Sequence, residues 1–132
     1  MLAQRDLFST AAAQPEQPQT GDNSNMALWG TMLEVDKDIE VSKREQTEWL
    51  KHGISTVRVD TMQEAIEKLT KEPFLFTATN AGNVNYLPLL KTMRDTAPTF
   101  IFIIDTNYTT EKEVEALHNG ADVYTKLTAT WS

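Results

Sequence analysis

The chain has 132 residues, a formal net charge of −7 and no cysteine, which suits a single domain with its own hydrophobic core. The acidic balance argues against a nucleic-acid surface, because phosphate contacts need clustered lysine and arginine. The lack of cysteine excludes disulfides, thiolate nucleophiles and cysteine-type zinc sites. No apolar run reaches the ~20 residues that cross a bilayer, and the N-terminus does not resemble a signal peptide. We therefore expect a cytoplasmic protein that binds neither membranes nor, through this segment, nucleic acid.

Residues 1–25 differ in composition from the rest of the chain. Within them, residues 14–25 (QPEQPQTGDNSN) contain no apolar side chain, so burial cannot offset the entropy lost on ordering. We expect residues 1–25 to be a disordered segment and residues 26–132 to form the folded domain.

Strand and helix patterns alternate regularly after Met26. The predicted strands span residues 28–35, 54–59, 74–79, 100–104 and 123–127, with helices over residues 36–52, from residue 61, over residues 86–94 and from residue 110. Alternating strands and helices predict an α/β domain with a five-stranded parallel sheet and helices on both of its faces.

Capping and periodicity support the individual helices. The segments TMQE, from Thr61, and TEKE, from Thr110, match the capping box, in which a hydroxyl and a carboxylate bind the free backbone N–H groups of the first turn. In the first helix, we expect Ile39, Trp49 and Leu50 to face the sheet and the charged residues to face solvent.

The fourth strand and the end of the chain bear on how the sheet is covered. Residues 100–104 (FIFII) are continuously apolar, which predicts a strand buried on both faces. The chain ends at Ser132, where a fifth helix is expected to begin with Trp131 as its first buried residue. The last helix is then missing, and we expect a piece of a longer protein or a partner that supplies the missing cover.

Three segments resemble the receiver domains of two-component response regulators. Residues 114–127 (VEALHNGADVYTKL) resemble the receiver stretch V-x-A-L-x-x-G-A-D-D-Y-x-x-K-P. Residues 86–94 (YLPLLKTMR) resemble G-x-E-L-L-x-x-I-R, and residues 35–38 (VDKD) resemble V-D-D-D. The resemblance covers about residues 28–127 and implies a flavodoxin-like, doubly wound fold.

The resemblance also implies where the family's site would lie. In that family an acidic pair after the first strand binds Mg²⁺, and an aspartate ending the third strand accepts the phosphoryl group. A threonine or serine ending the fourth strand and a lysine ending the fifth contact the phosphoryl oxygens. Matched to this sequence, the acidic pair becomes Asp36 and Lys37, and a count without gaps places the acceptor at Ala78. The hydroxyl position falls on Asp105, and Lys126 matches the lysine after one deletion.

No carboxylate occurs in residues 74–86, so both the acceptor and one metal ligand are replaced. The resemblance therefore implies a degenerate receiver that is not an enzyme and holds no cofactor, Mg²⁺ included. We expect it to act by protein–protein contact or as a homodimer through its fourth helix and fifth strand. DNA binding and transcription regulation would belong to a further domain of a longer parent.

Two alternatives for the function stay open. The domain is an active receiver whose acceptor has moved to Asp105, or a flavodoxin-like domain that binds an anion or nucleotide. In the second case Thr77, Thr79 and Asn80 would present hydroxyl and amide donors beside a helix N-terminus.

The individual acidic residues also allow simpler roles. Asp36 and Asp38 either hold a cation together with Asp105, or one of them caps the first helix. Asp105 either pairs with Lys126 where the phosphoryl group would lie, or only begins a loop.

Overall fold

The computed structural model describes residues 28–126, so the predictions for residues 1–25 and for Trp131 lie outside the described part of the chain. The nine elements within it are β1 (Gly30–Val35), α1 (Ile39–Lys51), β2 (Ile54–Val59), α2 (Met62–Lys71), β3 (Thr77–Asn80), α3 (Leu87–Thr96), β4 (Ile101–Asp105), α4 (Thr110–His118) and β5 (Val123–Lys126). None of these helices has the length and apolar content needed to cross a membrane.

The five strands form one parallel sheet in the order β2-β1-β3-β4-β5. This is the flavodoxin-like, doubly wound order, which confirms the predicted fold class. The strand order reverses between β1 and β3, so the loops after these two strands diverge and leave a crevice at the carboxyl edge of the sheet.

Three helices cover one face of the sheet. Side chains from the strands meet those of α2, α3 and α4 in one apolar cluster, whose fully buried members include Leu33, Leu90, Met93, Ile101 and Ile103. Each such side chain stabilises the fold by about 1.5–3 kcal/mol relative to exposure. This cluster is the main hydrophobic core. It holds α2, α3 and α4 against the sheet whose carboxyl edge carries the loops described below.

The opposite face carries only α1 among the described helices. The prediction that Ile39 and Leu50 face inward is wrong, because they are 48% and 39% exposed, whereas Trp49 is half-buried. The buried residue of α1 is Ser42, whose hydroxyl donates to the carboxyl group of Glu34 in β1. The helix therefore rests on the sheet partly through a polar contact, which a search for an apolar stripe does not detect.

The fourth strand is buried on one face only. Ile101 and Ile103 are fully buried, whereas Phe102 and Ile104 are partly exposed and Phe100 is 44% exposed. The prediction of burial on both faces is wrong because α1 packs mainly against β2, on the far side of the sheet. The apolar run reflects an aromatic surface that the described helices leave partly uncovered.

The two predicted caps have different outcomes. Thr61 is the N-cap of α2, and its hydroxyl accepts the backbone N–H of Glu64 at 3.1 Å. The second cap lies one residue earlier than predicted, since Thr109, not Thr110, accepts the N–H of Lys112. Thr109 has the extended backbone of an N-cap, with φ −140° and ψ 156°, whereas Thr110 already belongs to the helix.

Arg94 fastens α3 to the segments on either side of β4. Its Nε donates to the carbonyl of Gly120 and one terminal nitrogen donates to the carbonyl of Thr99, both at 2.9 Å. The other terminal nitrogen pairs with the carboxylate of Asp122. That carboxylate also accepts the backbone N–H of Ile101 at 2.8 Å, so one side chain organises several backbone groups.

We predict that Arg94→Ala lowers the free energy of unfolding by about 2–3 kcal/mol, because half-buried carbonyl groups and a carboxylate lose their donor. Urea denaturation measures this change. The matched control is Lys91→Ala, an exposed position on the same helix, which should change the free energy by less than about 0.5 kcal/mol. Equal effects of the two substitutions would contradict the assigned role of Arg94.

Candidate functional site: the carboxyl edge of the sheet

Polar side chains gather where the strands end. Asp36 directly follows β1, Asn80 ends β3, Asp105 ends β4 and Lys126 ends β5. In a parallel sheet all these ends lie at the same edge, which is where open α/β sheets bind their ligands.

The carboxylate of Asp36 is buried and fully engaged. Asp36 is 2% exposed. Its Oδ1 accepts the backbone N–H of Asp38 and the side-chain amide of Asn83, both at 2.8 Å, and its Oδ2 accepts the amide of Asn80 at 3.2 Å. Three N–H donors compensate the buried charge, as a buried carboxylate requires.

The loop after β3 is fastened to the turn after β1 by Asn83. While its amide nitrogen donates to Asp36, its carbonyl oxygen accepts the backbone N–H of Lys37 at 3.0 Å. The ammonium group of Lys37 reaches away to the carbonyl of Asp60, at 3.2 Å, and its side chain is exposed. The residue at the second acidic position therefore binds the end of β2 and brings a positive charge near the site.

Asp38 caps α1, because its carboxylate accepts the N–H of Val41 at 3.1 Å. This confirms the capping interpretation for Asp38. The structure does not bring Asp36, Asp38 and Asp105 together as a cation site, because β3 separates β1 from β4. Strands two positions apart in a sheet lie about 9–10 Å from each other.

The acceptor position counted without gaps does not lie at the edge of the sheet. Ala78 is 6% exposed and lies inside β3, where it pairs in register with Glu34. The residue that ends β3, beside Asp36, is Asn80. The strand-ending position next to the acidic residue thus carries a side-chain amide.

The hydroxyl groups of the expected anion loop point into the core. Thr77 and Thr79 are fully buried. The Oγ1 of Thr77 lies 3.2 Å from that of Thr99, and the Oγ1 of Thr79 contacts the sulfur of Met62 at 3.8 Å. Because side chains alternate along a strand, both threonines face the apolar cluster, so their prediction as anion ligands is wrong, and Asn80 binds Asp36 instead.

Asp105 is buried at the end of β4, and its charge is compensated by residues other than Lys126. Its carboxylate accepts the hydroxyl of Tyr124 and, at 2.8 Å, the N–H of Asn107, and the ammonium of Lys112 lies 3.5 Å away. Lys126 is exposed and forms no ion pair with a residue in 28–126. The predicted pair of Asp105 with Lys126 is wrong, because α4 supplies the cation.

The protonation states at Asp105 follow from these contacts. Burial alone would raise the pKa of Asp105, but the hydrogen bonds from Tyr124 and Asn107 and the charge of Lys112 hold that pKa below its ordinary value. Burial, together with the hydrogen bond to Asp105, raises the pKa of Tyr124. A carboxylate and a protonated phenol therefore share this hydrogen bond at neutral pH.

A shallow cavity of about 430 Å³ opens between the loop after β3 and α4. Asp105, Lys112, Glu115 and Tyr124 line it together with residues 81–87. Its walls carry both signs of charge, so they do not form the concentrated positive surface that an anion site needs.

Three carboxyl groups that no sequence pattern revealed meet beneath the turn after β1. Glu34, Asp36 and Glu45 each bring one oxygen to within 4.8 Å of the others, the one such group found in residues 28–126. Burial, and then the hydrogen bond with Glu45, raises the pKa of Glu34 to about 8. Glu34 therefore keeps its proton at neutral pH, which disfavours it as a metal ligand. The sequence feature that marks it is a glutamate in the middle of an apolar strand.

Comparison with known proteins finds similarity in solved structures only, since no protein-family model and no curated protein sequence matches this chain. A response regulator from Burkholderia pseudomallei, solved with a phosphorylated aspartic acid, calcium ion and citrate, gives a TM-score of 0.68 at 21% identity, over 76% of this chain and 61% of that one. HP1043, an orphan response regulator of Helicobacter pylori, gives 0.70 at 15% identity, over 80% and 88%. The beryllofluoride-activated NtrC4 receiver domain dimer gives 0.67 at 15% identity, over 77% and 85%.

These similarities establish the receiver-type fold of the described residues. The chain spans 61% of the length of the Burkholderia protein and most of the length of the other two. A fold alone does not fix what a protein binds or catalyses. For this chain, function therefore has to be argued from the side chains at the carboxyl edge of the sheet.

We predict that stability falls as the pH rises from about 5 to about 8. The pKa of Glu34 is raised from its ordinary value of 4.5 to about 8 in the folded protein, so the folded state binds more protons across this interval and loses that advantage as the pH rises. Glu34→Gln should remove most of the fall, which is on the order of a few kcal/mol. Urea denaturation at several pH values measures it.

The matched control is Glu67→Gln, an exposed glutamate on α2, which should leave the pH profile unchanged. A wild-type stability that is constant or rises between pH 5 and pH 8 would contradict the assignment of a protonated Glu34.

Proposed function

We propose that this domain is a response-regulator receiver that has lost aspartate phosphorylation and works through protein–protein contacts. The observation that carries the proposal is that hydrogen bonds already engage the carboxylate of Asp36. This carboxylate, at the first acidic position of the receiver pattern, is bound by the amides of Asn80 and Asn83. The receiver-type fold supports the general role, and the side chains at the site support its degenerate form.

Phosphotransfer to a receiver needs a nucleophilic carboxylate and a divalent cation beside it. The Burkholderia structure contains both a phosphorylated aspartic acid and a calcium ion. Here Asn80 ends β3 with an amide, which is not a nucleophile, and Lys37 places a cation at the second acidic position. A metal ion would also have to displace the donors that already compensate Asp36. We therefore propose that the site holds no Mg²⁺ and forms no aspartyl phosphate.

Asp105 is a poor substitute acceptor. One of its oxygens is bound by Tyr124 and Lys112 and the other by the N–H of Asn107. Attack on a phosphoryl group would cost these hydrogen bonds, and the nearest positive charge is an ammonium rather than a metal ion. These contacts favour the degenerate receiver over an active receiver with a relocated acceptor.

We predict that the 132-residue chain gains no phosphoryl adduct in intact-mass measurements after incubation with acetyl phosphate and Mg²⁺. The double variant Lys37→Asp with Asn80→Asp restores both carboxylates at the edge of the sheet, and it should take up the adduct. The matched control is Lys37→Asp with Ala78→Asp, whose new carboxylate lies inside β3, and it should stay unmodified.

Two outcomes would contradict this proposal. An adduct on the wild type that Asp105→Asn abolishes would establish the relocated acceptor. An adduct on the Ala78→Asp variant but not on the Asn80→Asp variant would show that the acceptor position had been assigned incorrectly.

Protein contact is proposed through α4 and β5. The strand β5 is an edge of the sheet, and α4 exposes two apolar side chains one turn apart, Val114 at 52% and Leu117 at 42%. The NtrC4 receiver is a dimer in its activated form. We propose a homodimer or a complex with another protein at this surface, and DNA binding only through a separate domain.

We predict that the protein forms a dimer whose light-scattering mass drops to that of a monomer in Val114→Lys and Leu117→Lys, because an ammonium would be buried in the interface. Ile39→Lys is the matched control, since Ile39 is equally exposed but lies on α1. A monomeric wild type at all concentrations, or a dimer that only Ile39→Lys disrupts, would contradict the proposed surface.

A further inference from the structure

The cavity between the loop after β3 and α4 combines aromatic rings with acidic side chains. Its volume of about 430 Å³ is typical of a small-molecule site. Tyr86 and Tyr124 line it, and their ring centroids lie 6.3 Å apart at an interplanar angle of 50°. We call this pair of inclined rings the tyrosine corner. Val84 and Leu87 add apolar surface to the same cavity.

The charged side chains of the lining leave one carboxylate uncompensated. The ammonium of Lys112 lies 3.5 Å from the carboxylate of Asp105 and donates to the carbonyl of Asn107 at 3.0 Å, so its charge is already engaged. Glu115 forms no ion pair with any residue in the described range 28–126. Two carboxylates and one ammonium therefore give the lining a net negative charge.

Tyr86 lies in the field of both carboxylates. Burial raises the pKa of Tyr86 most, and the negative charges of Asp105 and Glu115 raise it further. A field that disfavours a phenolate favours a cation at the same place. The face of a tyrosine ring also attracts a cation, because the π-system is negative there. The rings and the free carboxylate therefore act on a positively charged ligand in the same direction.

We propose that this cavity binds a small organic cation, an ammonium group that carries short alkyl substituents. The ammonium lies between the tyrosine corner and the carboxylate of Glu115, and the alkyl groups lie against Val84 and Leu87. An anion does not suit this lining, because the free carboxylate repels it. The inference does not rest on the signalling role proposed above.

The walls of the cavity are held in place without a ligand. The loop after β3 is fastened at its start, because the backbone N–H groups of Gly82 and Val84 donate to Asn80 at 2.8 and 3.0 Å. On the other side, the ion pair between Lys112 and Asp105 joins α4 to the end of β4. A preformed site needs little ordering on binding, so a ligand with few contacts can bind there.

The cavity uses a different side of α4 from the proposed protein contact. Lys112 and Glu115 are three residues apart and lie on one side of the helix. Val114 and Leu117 each follow one of them by two positions, which is about 200° around an α-helix. Cation binding and protein contact can therefore occur together, and the failure of either proposal leaves the other standing.

Fluorine NMR of the 3-fluorotyrosine-labelled chain tests the site, with choline as the cation. The resonances of Tyr86 and Tyr124, assigned by their loss in Tyr86→Phe and Tyr124→Phe, should shift saturably as choline is added at physiological ionic strength. The compound 3,3-dimethyl-1-butanol has the same shape without the charge and should shift them little. No saturable shift with choline, or equal affinities for the two compounds, would overturn the proposal.

A charge-removing substitution locates the cation within the cavity. Glu115→Gln should raise the Kd for choline about tenfold or more, because the charged partner of the ammonium is lost. The matched control is Glu111→Gln, an exposed glutamate on the same helix that does not line the cavity, and it should leave the Kd unchanged. Both variants should keep the wild-type urea midpoint. Equal Kd values for choline in the two variants would overturn the proposal, since only the general negative charge of the chain would then attract the cation.

Discussion

The buried carboxylate of Asp36 is the constraint on which the carboxyl edge of this protein depends. A charge that is 2% exposed must be compensated, and its three N–H donors come from the turn after β1, the end of β3 and the loop before α3. Hydrogen bonds to a charged group contribute about 1.5–3 kcal/mol each. The same bonds that order these loops engage both oxygens of the carboxylate, so the order of these loops and the proposed loss of metal binding and phosphotransfer would have one cause.

The two faces of the sheet are stabilised by different interactions. One is covered by α2, α3 and α4 over a continuous apolar core. The other has α1 packed on a hydrogen bond between Ser42 and a protonated Glu34, with the contacting rings of Phe76 and Phe102 beside it. We expect the first face to supply most of the stability. The second face should respond to pH and to whatever covers the aromatic rings.

The order of the elements and the parallel sheet could be predicted from sequence, because the alternation of strand and helix patterns is strong and local. The acceptor position could not, since a count without gaps assumes a fixed loop length, whereas the pairing of β1 with β3 places Asn80 rather than Ala78 at the edge. The cation beside Asp105 was missed for a similar reason. Lys112 lies on α4 and meets Asp105 only through tertiary packing. Glu34 was overlooked because strand periodicity does not reveal that a helix packs against a polar residue of the strand.

The most direct test of the occupied carboxylate is a Mg²⁺ titration followed by the side-chain amide resonances of Asn80 and Asn83 in ¹H–¹⁵N NMR spectra. We expect both pairs of resonances to stay unchanged at millimolar Mg²⁺, because the amides remain bound to Asp36. In Asp36→Asn, where the charge that holds them is removed, both should shift without any metal. Saturable shifts of both amides in the wild type, absent from Asp36→Asn, would show that Mg²⁺ displaces them and would contradict a site closed to metal.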